Sequence, residues 1–358
     1  MKTNKIIKIM IVLTVLFIVG CGYKYEVKTV INNDGSCQRT LIVSCEDSID
    51  NFYEEDYPIP IDTTWNLVIE TDTNENGDTV FVYKATKFFE SVNQLNQLYT
   101  MDSILERSVK LEKRFRWFYT FFEYQETYKK LFNQPSLKTY LDTDQYEYVM
   151  LTDEEQDIYL EEHYDSIQAK QFDDNTEKGL NKWLEFTFIN SCLDAVERSA
   201  RNIEEWPLQE SEFKVKRDSL IDLIDGEIDL FEDDDDIFEA LKRVFKIDSV
   251  LYQKLEEEDN FKTFKNKYAL WEDIVLSDEY VNFVSMPGLV IETNSAVISD
   301  SYQVEWDVRW IKYFTDDYKM KVSSRVVNIW AFWLSAGLIV LLLITLFIRR
   351  LIKRRRTS

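Results

Sequence analysis

From Tyr23 to Ile31 apolar and polar residues alternate, and a period of two is that of a half-buried strand. Asn33-Asp34-Gly35 supplies a turn, and Cys37 to Cys45 returns with several β-branched residues, so the segment predicts an antiparallel hairpin. Trp65 to Glu70 and Val80 to Phe89 predict a second hairpin. Between them lies Asp72-Thr73-Asn74-Glu75-Asn76-Gly77-Asp78, whose Asn-Gly pair suits the positive φ of a tight turn. After a short helix near Val92 to Leu105, the stretch Val109 to Tyr128 carries Phe115, Trp117, Phe118, Tyr119, Phe121, Phe122 and Tyr124. That aromatic density predicts one long strand or a bulged pair. Successive side chains of a strand point to opposite faces, so both faces of Phe115 to Tyr124 carry large apolar groups and at least one needs a cover. Helix packed on sheet is the ordinary cover; a lipid or a partner protein are the alternatives.

From Thr152 the period lengthens. Thr152 and Glu155 have capping-box spacing, and the chain reads as helices to about Glu279, interrupted at Pro207. Leu180, Trp183, Leu184, Phe188, Cys192, Ala195 and Val196 recur at helical spacing, as do Ile237, Leu241, Val244, Phe245 and Leu251. Such stripes ordinarily pack against other elements. Strand patterning resumes from Tyr280 to Arg309, with a turn at Met286-Pro287-Gly288 and a later strand through Val304-Glu305-Trp306; Lys319 to Val327 is the last strand. The expected fold class is therefore α+β: an antiparallel sheet built from both ends of residues 21–328, with a helical insertion at about 152–279, folding as one unit.

The two ends set the expected topology. Lys2, Lys5 and Lys8 precede an apolar stretch, Ile9 to Val19, that closes on Ile18-Val19-Gly20-Cys21. A run this short behind positive charge reads as a signal peptide over residues 1–20, with Cys21 as the lipidated first residue of the mature chain. The alternative is an uncleaved anchor with an incidental cysteine. At the other end Ile329 to Ile348 contains no charged residue and is long enough, at about 1.5 Å per residue, to cross a hydrocarbon core of about 30 Å. Trp330 and Trp333 stand where an aromatic belt would lie, and the basic tail over residues 349–358 carries the charge of a cytoplasmic flank. Both N-terminal readings put the bulk of the chain outside the cytoplasm, tethered to a bacterial cytoplasmic (inner) membrane by lipid at Cys21 and by one transmembrane helix. The sheet is expected close to the membrane, because both ends of the domain are held there.

Charge removes one class of partner. Lysine and arginine number 42 against 65 acidic residues, a net of −23, and both ends are basic, so the body is more acidic than the total. Such a surface repels phosphate backbones, and nucleic acid is not an expected partner. Candidate chemistry is sparse. The single histidine, His163, lies in a polar stretch, no serine stands in a Gly-x-Ser-x-Gly setting, and 8 glycines include no phosphate-cradling loop. Asp72-x-Asn74-x-Asn76-Gly77 matches the first half of a calcium loop, but Tyr83 stands where the closing bidentate glutamate belongs, and the flanks read as strands. The runs Glu232 to Asp236 and Glu256 to Asp259 read as solvated helical faces. No metal, cofactor or catalytic residue is expected, and Cys21 is the one candidate modification site. Cys37, Cys45 and Cys192 remain in a compartment that permits disulfides. Cys37 and Cys45 on one strand would stand about 26 Å apart, so they cannot pair with each other. Three buried free thiols is the economical reading, a bond from Cys192 to either the alternative.

The order of a lipobox, an early hairpin around Asp34-Gly35-Ser36, the Met286-Pro287-Gly288 turn, a tryptophan in Val304-Glu305-Trp306 and one C-terminal spanning helix resembles the LppM-like bacterial lipoproteins. The likeness extends over roughly the first hundred residues and the last eighty. It implies an α+β envelope lipoprotein without known catalysis, in a family for which binding of membrane glycolipids has been proposed. The acidic helical insertion departs from that compact pattern. The functional expectation is a non-catalytic lipid- or partner-binding module at the membrane surface, with a scaffolding subunit of an inner-membrane complex as the alternative.

Overall fold

In the computed structural model, residues 24–45, 61–73, 79–101, 106–204, 245–275, 279–295 and 297–357 are described, with isolated positions between 206 and 243. Alternation becomes strand almost residue for residue. Strands β1 (Lys24–Ile31) and β2 (Cys37–Cys45) pair antiparallel, Lys24 opposite Ser44 and Ile31 opposite Cys37. Their turn is closed by Asp34, whose Oδ1 accepts from the Ser36 backbone at 2.9 Å, and Gly35 takes the left-handed conformation it requires, at φ 98°. β3 (Asn66–Thr73) and β4 (Thr79–Phe89) form the second hairpin, and α1 (Val92–Met101) follows. Asn74, Asn76 and Gly77 of the calcium-like motif lie outside the described residues. So do Cys21 and the first acidic run.

The aromatic stretch is neither one strand nor a bulged pair. It is a hairpin of β5 (Arg107–Phe115) and β6 (Tyr119–Tyr128) that reverses at Arg116-Trp117-Phe118. These residues lack glycine, proline or asparagine, so the reversal has no local signature. The remaining strands are β7 (Glu279–Ser285), β8 (Leu289–Thr293), β9 (Val297–Asp300), β10 (Gln303–Asp307) and β11 (Tyr318–Val327).

Instead of one sheet there are two. A seven-stranded sheet has the order β3-β4-β2-β1-β7-β10-β9, and a four-stranded sheet β5-β6-β11-β8. Both ends of the domain do meet, through β1 and β7, but that pair is parallel. The crossover is long enough for a parallel pair because the helical insertion lies between the two strands. The chain changes sheets at Met286-Pro287-Gly288, where Gly288 has φ 79°.

The inner face of β6, with Phe122 and Tyr124, is buried against the other sheet and α1 rather than against the helical insertion, which corrects the expected cover. Sheet on sheet wins because β2 offers a complementary apolar face, Leu41 and Val43, at the same period of two. The helices gather at one end of this double sheet. They are α2 (Thr143–Val149), α3 (Asp153–His163), α4 (Ser166–Ala200), α5 (Ser249–Glu257) and α6 (Asp259–Val275). The Thr152–Glu155 capping box forms as expected, with the Thr152 amide donating to Glu155 at 2.9 Å. The stripe on α4 packs through Trp183 and Phe188 against Phe314, Trp271 and Phe132. His163 is exposed and stacks on Tyr159. Cys37 and Cys192 are buried free thiols, and Cys45 is also buried. Burial pushes the Cys37 thiol up to about 11.

Asn328 alone separates β11 from α7 (Ile329–Thr357). The segment Ile329–Arg350 is apolar and long enough to cross a membrane, and 6 % of its most apolar stretch is buried, which distinguishes it from a core helix.

Candidate functional site

Two places depart from the usual rule of apolar inside and polar outside. The first is the seam between the sheets. Strand alternation points Arg39 of β2 inward between Cys37 and Leu41, and Glu126 of β6 inward between Tyr124 and Tyr128. Their side chains meet as a fully buried fork, with Arg39 donating to the two carboxylate oxygens at 3.1 and 2.8 Å. Tyr124 donates to the same carboxylate at 2.7 Å, Tyr99 at 3.3 Å and the Asn282 amide at 3.4 Å. Burial is the largest influence on Glu126 and opposes its charge, but the Arg39 charge and hydrogen bond, the Tyr124 hydroxyl and the Arg107 charge together outweigh it and hold the carboxyl below the usual glutamate range. Burial raises Tyr99, Tyr124 and Tyr128, so these phenols stay neutral donors.

A second guanidinium, Arg107 of β5, donates to the Tyr280 hydroxyl at 2.8 Å. That hydroxyl lies 3.0 Å from the hydroxyl of Tyr128. The seam thus holds two buried guanidiniums and one carboxylate. The second cation is stabilised by ring faces, with Tyr128 at 4.7 Å, Tyr280 at 5.7 Å and Tyr99 at 6.0 Å. With its carboxylate saturated by donors and the Arg39 and Glu126 side chains wholly buried, the seam fixes the register of one sheet on the other and presents no group to a substrate.

The second place is the root of α7. Asn328 donates its side-chain amide to the Arg116 carbonyl at 2.9 Å and the Trp117 carbonyl at 3.3 Å, and its backbone N–H to Phe118 at 2.8 Å. It accepts from Thr120 Oγ1 at 3.0 Å. One residue distant in sequence therefore satisfies the reversal that the local sequence does not encode. Beyond it the hairpin tip runs beside the helix. Trp117 Nε1 donates to Ser335 Oγ at 2.8 Å, Phe115 stacks on Trp330 at 6.2 Å, and Phe118 meets Phe332 at 4.6 Å. Yet most of these rings stay open: Phe115 is 57 % exposed, Trp117 44 % and Trp333 75 %.

Position within the double sheet separates this root from the start of the domain. Lys24 is in register with Glu279, the next pair Tyr25 with Tyr280 reaches across to Tyr128 and Arg107, and Tyr128 is in register with Tyr318. This is the end of β11 away from α7. At the near end Lys113 donates to the Asn33 carbonyl, and Ser324 to that of Pro287. The chain end that leads back to Cys21 and the root of α7 thus lie at opposite ends of the sheets.

Among the described residues no three His, Cys, Asp or Glu side chains converge as metal ligands. No protein-family model, curated protein or solved structure matches the chain.

Proposed function

We propose that this protein is a membrane-anchored envelope lipoprotein whose α+β domain acts, without catalysis, as a lipid- or partner-binding module at the surface of the bacterial cytoplasmic membrane. In this reading α7 spans the bilayer, the basic residues 349–358 face the cytoplasm, residues 1–20 are removed and Cys21 carries lipid. The observation that carries it is the root of α7: a helix of spanning length joined to the sheet through one residue, with the β5–β6 tip locked beside its first turns. A flexible tether would let the domain tumble. This joint restrains that tumbling and keeps the β5–β6 tip beside the first turns of α7, as a module presenting a face to lipid or to a membrane partner requires.

The test is alkaline carbonate extraction combined with external protease on spheroplasts. The full chain is expected to resist extraction and lose its domain to protease, and a chain ending at Asn328 with Cys21→Ser to be released. Extraction of the full chain by carbonate overturns the spanning reading, and protection of the domain overturns its orientation.

A further inference from the structure

The root of α7 is cationic as well as aromatic. Lys113, Arg114, Arg116 and Arg325 surround Phe115, Trp117 and Tyr119, in a chain whose net charge is −23. Glu123 pairs with Arg114, and Lys113 donates to Asn33. Arg116 is exposed and its side chain makes no hydrogen bond or ion pair among the described residues, and Arg325, also exposed, lies over the Tyr119 ring at 5.4 Å. Trp117 reaches Ser335, six residues beyond Ile329 and hence about 9 Å along the helix axis. In a membrane crossed by α7, the tip lies level with the headgroups, where indole rings favour the apolar boundary and arginines favour phosphate. A second copy of this surface is a poor occupant, because its own cations repel it.

We propose that the β5–β6 tip and the first turns of α7 form one lipid-headgroup site selective for anionic phospholipid. Arg116 and Arg325 hold the phosphate, while Phe115, Trp117 and Trp330 enter the acyl boundary. This rests on the spanning reading of α7 and goes beyond it by naming the lipid and the residues.

The full-length chain in nanodiscs of equal parts phosphatidylcholine and phosphatidylglycerol tests it by native mass spectrometry of the lipids retained after disc release. Phosphatidylglycerol is expected to be enriched over the disc ratio. Arg116→Gln with Arg325→Gln removes the enrichment, about fivefold per arginine, the ratio corresponding to about 1 kcal/mol for each surface cation. With brominated phosphatidylglycerol, Trp117→Phe lowers the quenched share of tryptophan emission. Retention at the disc ratio, or enrichment that survives the double glutamine variant, overturns the proposal. Carbonate extraction of the same variants separates the two readings: a chain that stays in the membrane with unselected lipid sinks the headgroup site alone, and a chain that washes out sinks the spanning helix as well.

Discussion

The seam and the root of α7 are opposites. Between the sheets, where apolar side chains are the rule, stand two arginines, a glutamate, an asparagine and four tyrosines. At the root, where polar groups are the rule, tryptophans and phenylalanines stand open. The seam is stable in water because Arg39 and Glu126 close on each other and Arg107 rests on the Tyr280 hydroxyl and tyrosine rings, and removing one member strands the others. At the root the rings touch one another yet stay largely exposed, and a medium outside the fold would explain them. A buried inversion therefore calls for internal completeness, and an exposed one for a neighbour.

Breaking the seam is expected to give the largest effect. Glu126→Ala leaves Arg39 buried without its carboxylate and takes an acceptor from Tyr124 and Tyr99, at a cost of about 3–5 kcal/mol in urea unfolding of the detergent-solubilised chain. Replacing both charges, Arg39→Leu with Glu126→Leu, recovers part of that loss, because the two phenols still lack an acceptor. A loss under about 1 kcal/mol for Glu126→Ala would mean that the pair is not closed as described.

Acid probes the same pair without mutation. The folded Glu126 carboxyl titrates below its unfolded value because Arg39, Tyr124 and Arg107 together outweigh burial. Its contribution is complete above the ordinary glutamate value of 4.5 and is lost as pH falls through the lower folded value. Stability is expected to drop below pH 4.5 in the parent chain and to drop less in the double leucine variant.

A smaller effect is expected at Gly288, where the chain crosses from one sheet to the other. Its φ of 79° disfavours a side chain, and a Cβ there would collide with the Arg325 carbonyl oxygen. Gly288→Ala is expected to destabilise by more than about 1 kcal/mol. The strain falls between β8 and β11, so hydrogen exchange should quicken in those strands before β1 and β2. Uniform quickening would show that seam and root unfold as one.

The comparison also explains what the sequence disclosed. Hairpins β1–β2 and β3–β4, the Thr152 capping box and the apolar α7 were legible because each is a local period or cap. The seam was half-written: Arg39 and Glu126 occupy inward positions of their own alternations, and a charge of each sign on two buried faces is a signal in retrospect. Which strand faces which was not, because alternation fixes a face and not its partner. The reversal at Arg116 to Phe118 was hidden for a different reason, since its support comes from Asn328, far along the chain.

The smallest effect on folding is expected at Cys21, and its consequence is geometric. β1 has 8 residues, about 26 Å of strand, and it begins at the end of the sheets away from α7. Cys21 is three residues before Lys24, a reach of about 11 Å at full extension. With the strands upright on the root, a lipid carried on Cys21 would stop short of the bilayer that α7 would cross. To reach it, the strands must lean until their height over the membrane falls within that reach, about 65° from the normal by the same lengths. The expectation that both tethers hold the sheet close to the membrane thus becomes a statement about tilt. Cys21→Ser is expected to leave the unfolding midpoint unchanged, since Cys21 precedes β1, the first strand of the sheets. It should also release the tilt, lengthening the distance from a spin label at an exposed site on β3, such as Thr71, to the bilayer surface. An unchanged distance would show that the joint at Asn328 alone sets the attitude of the domain, and that any lipid on Cys21 is seated somewhere other than the leaflet beneath it.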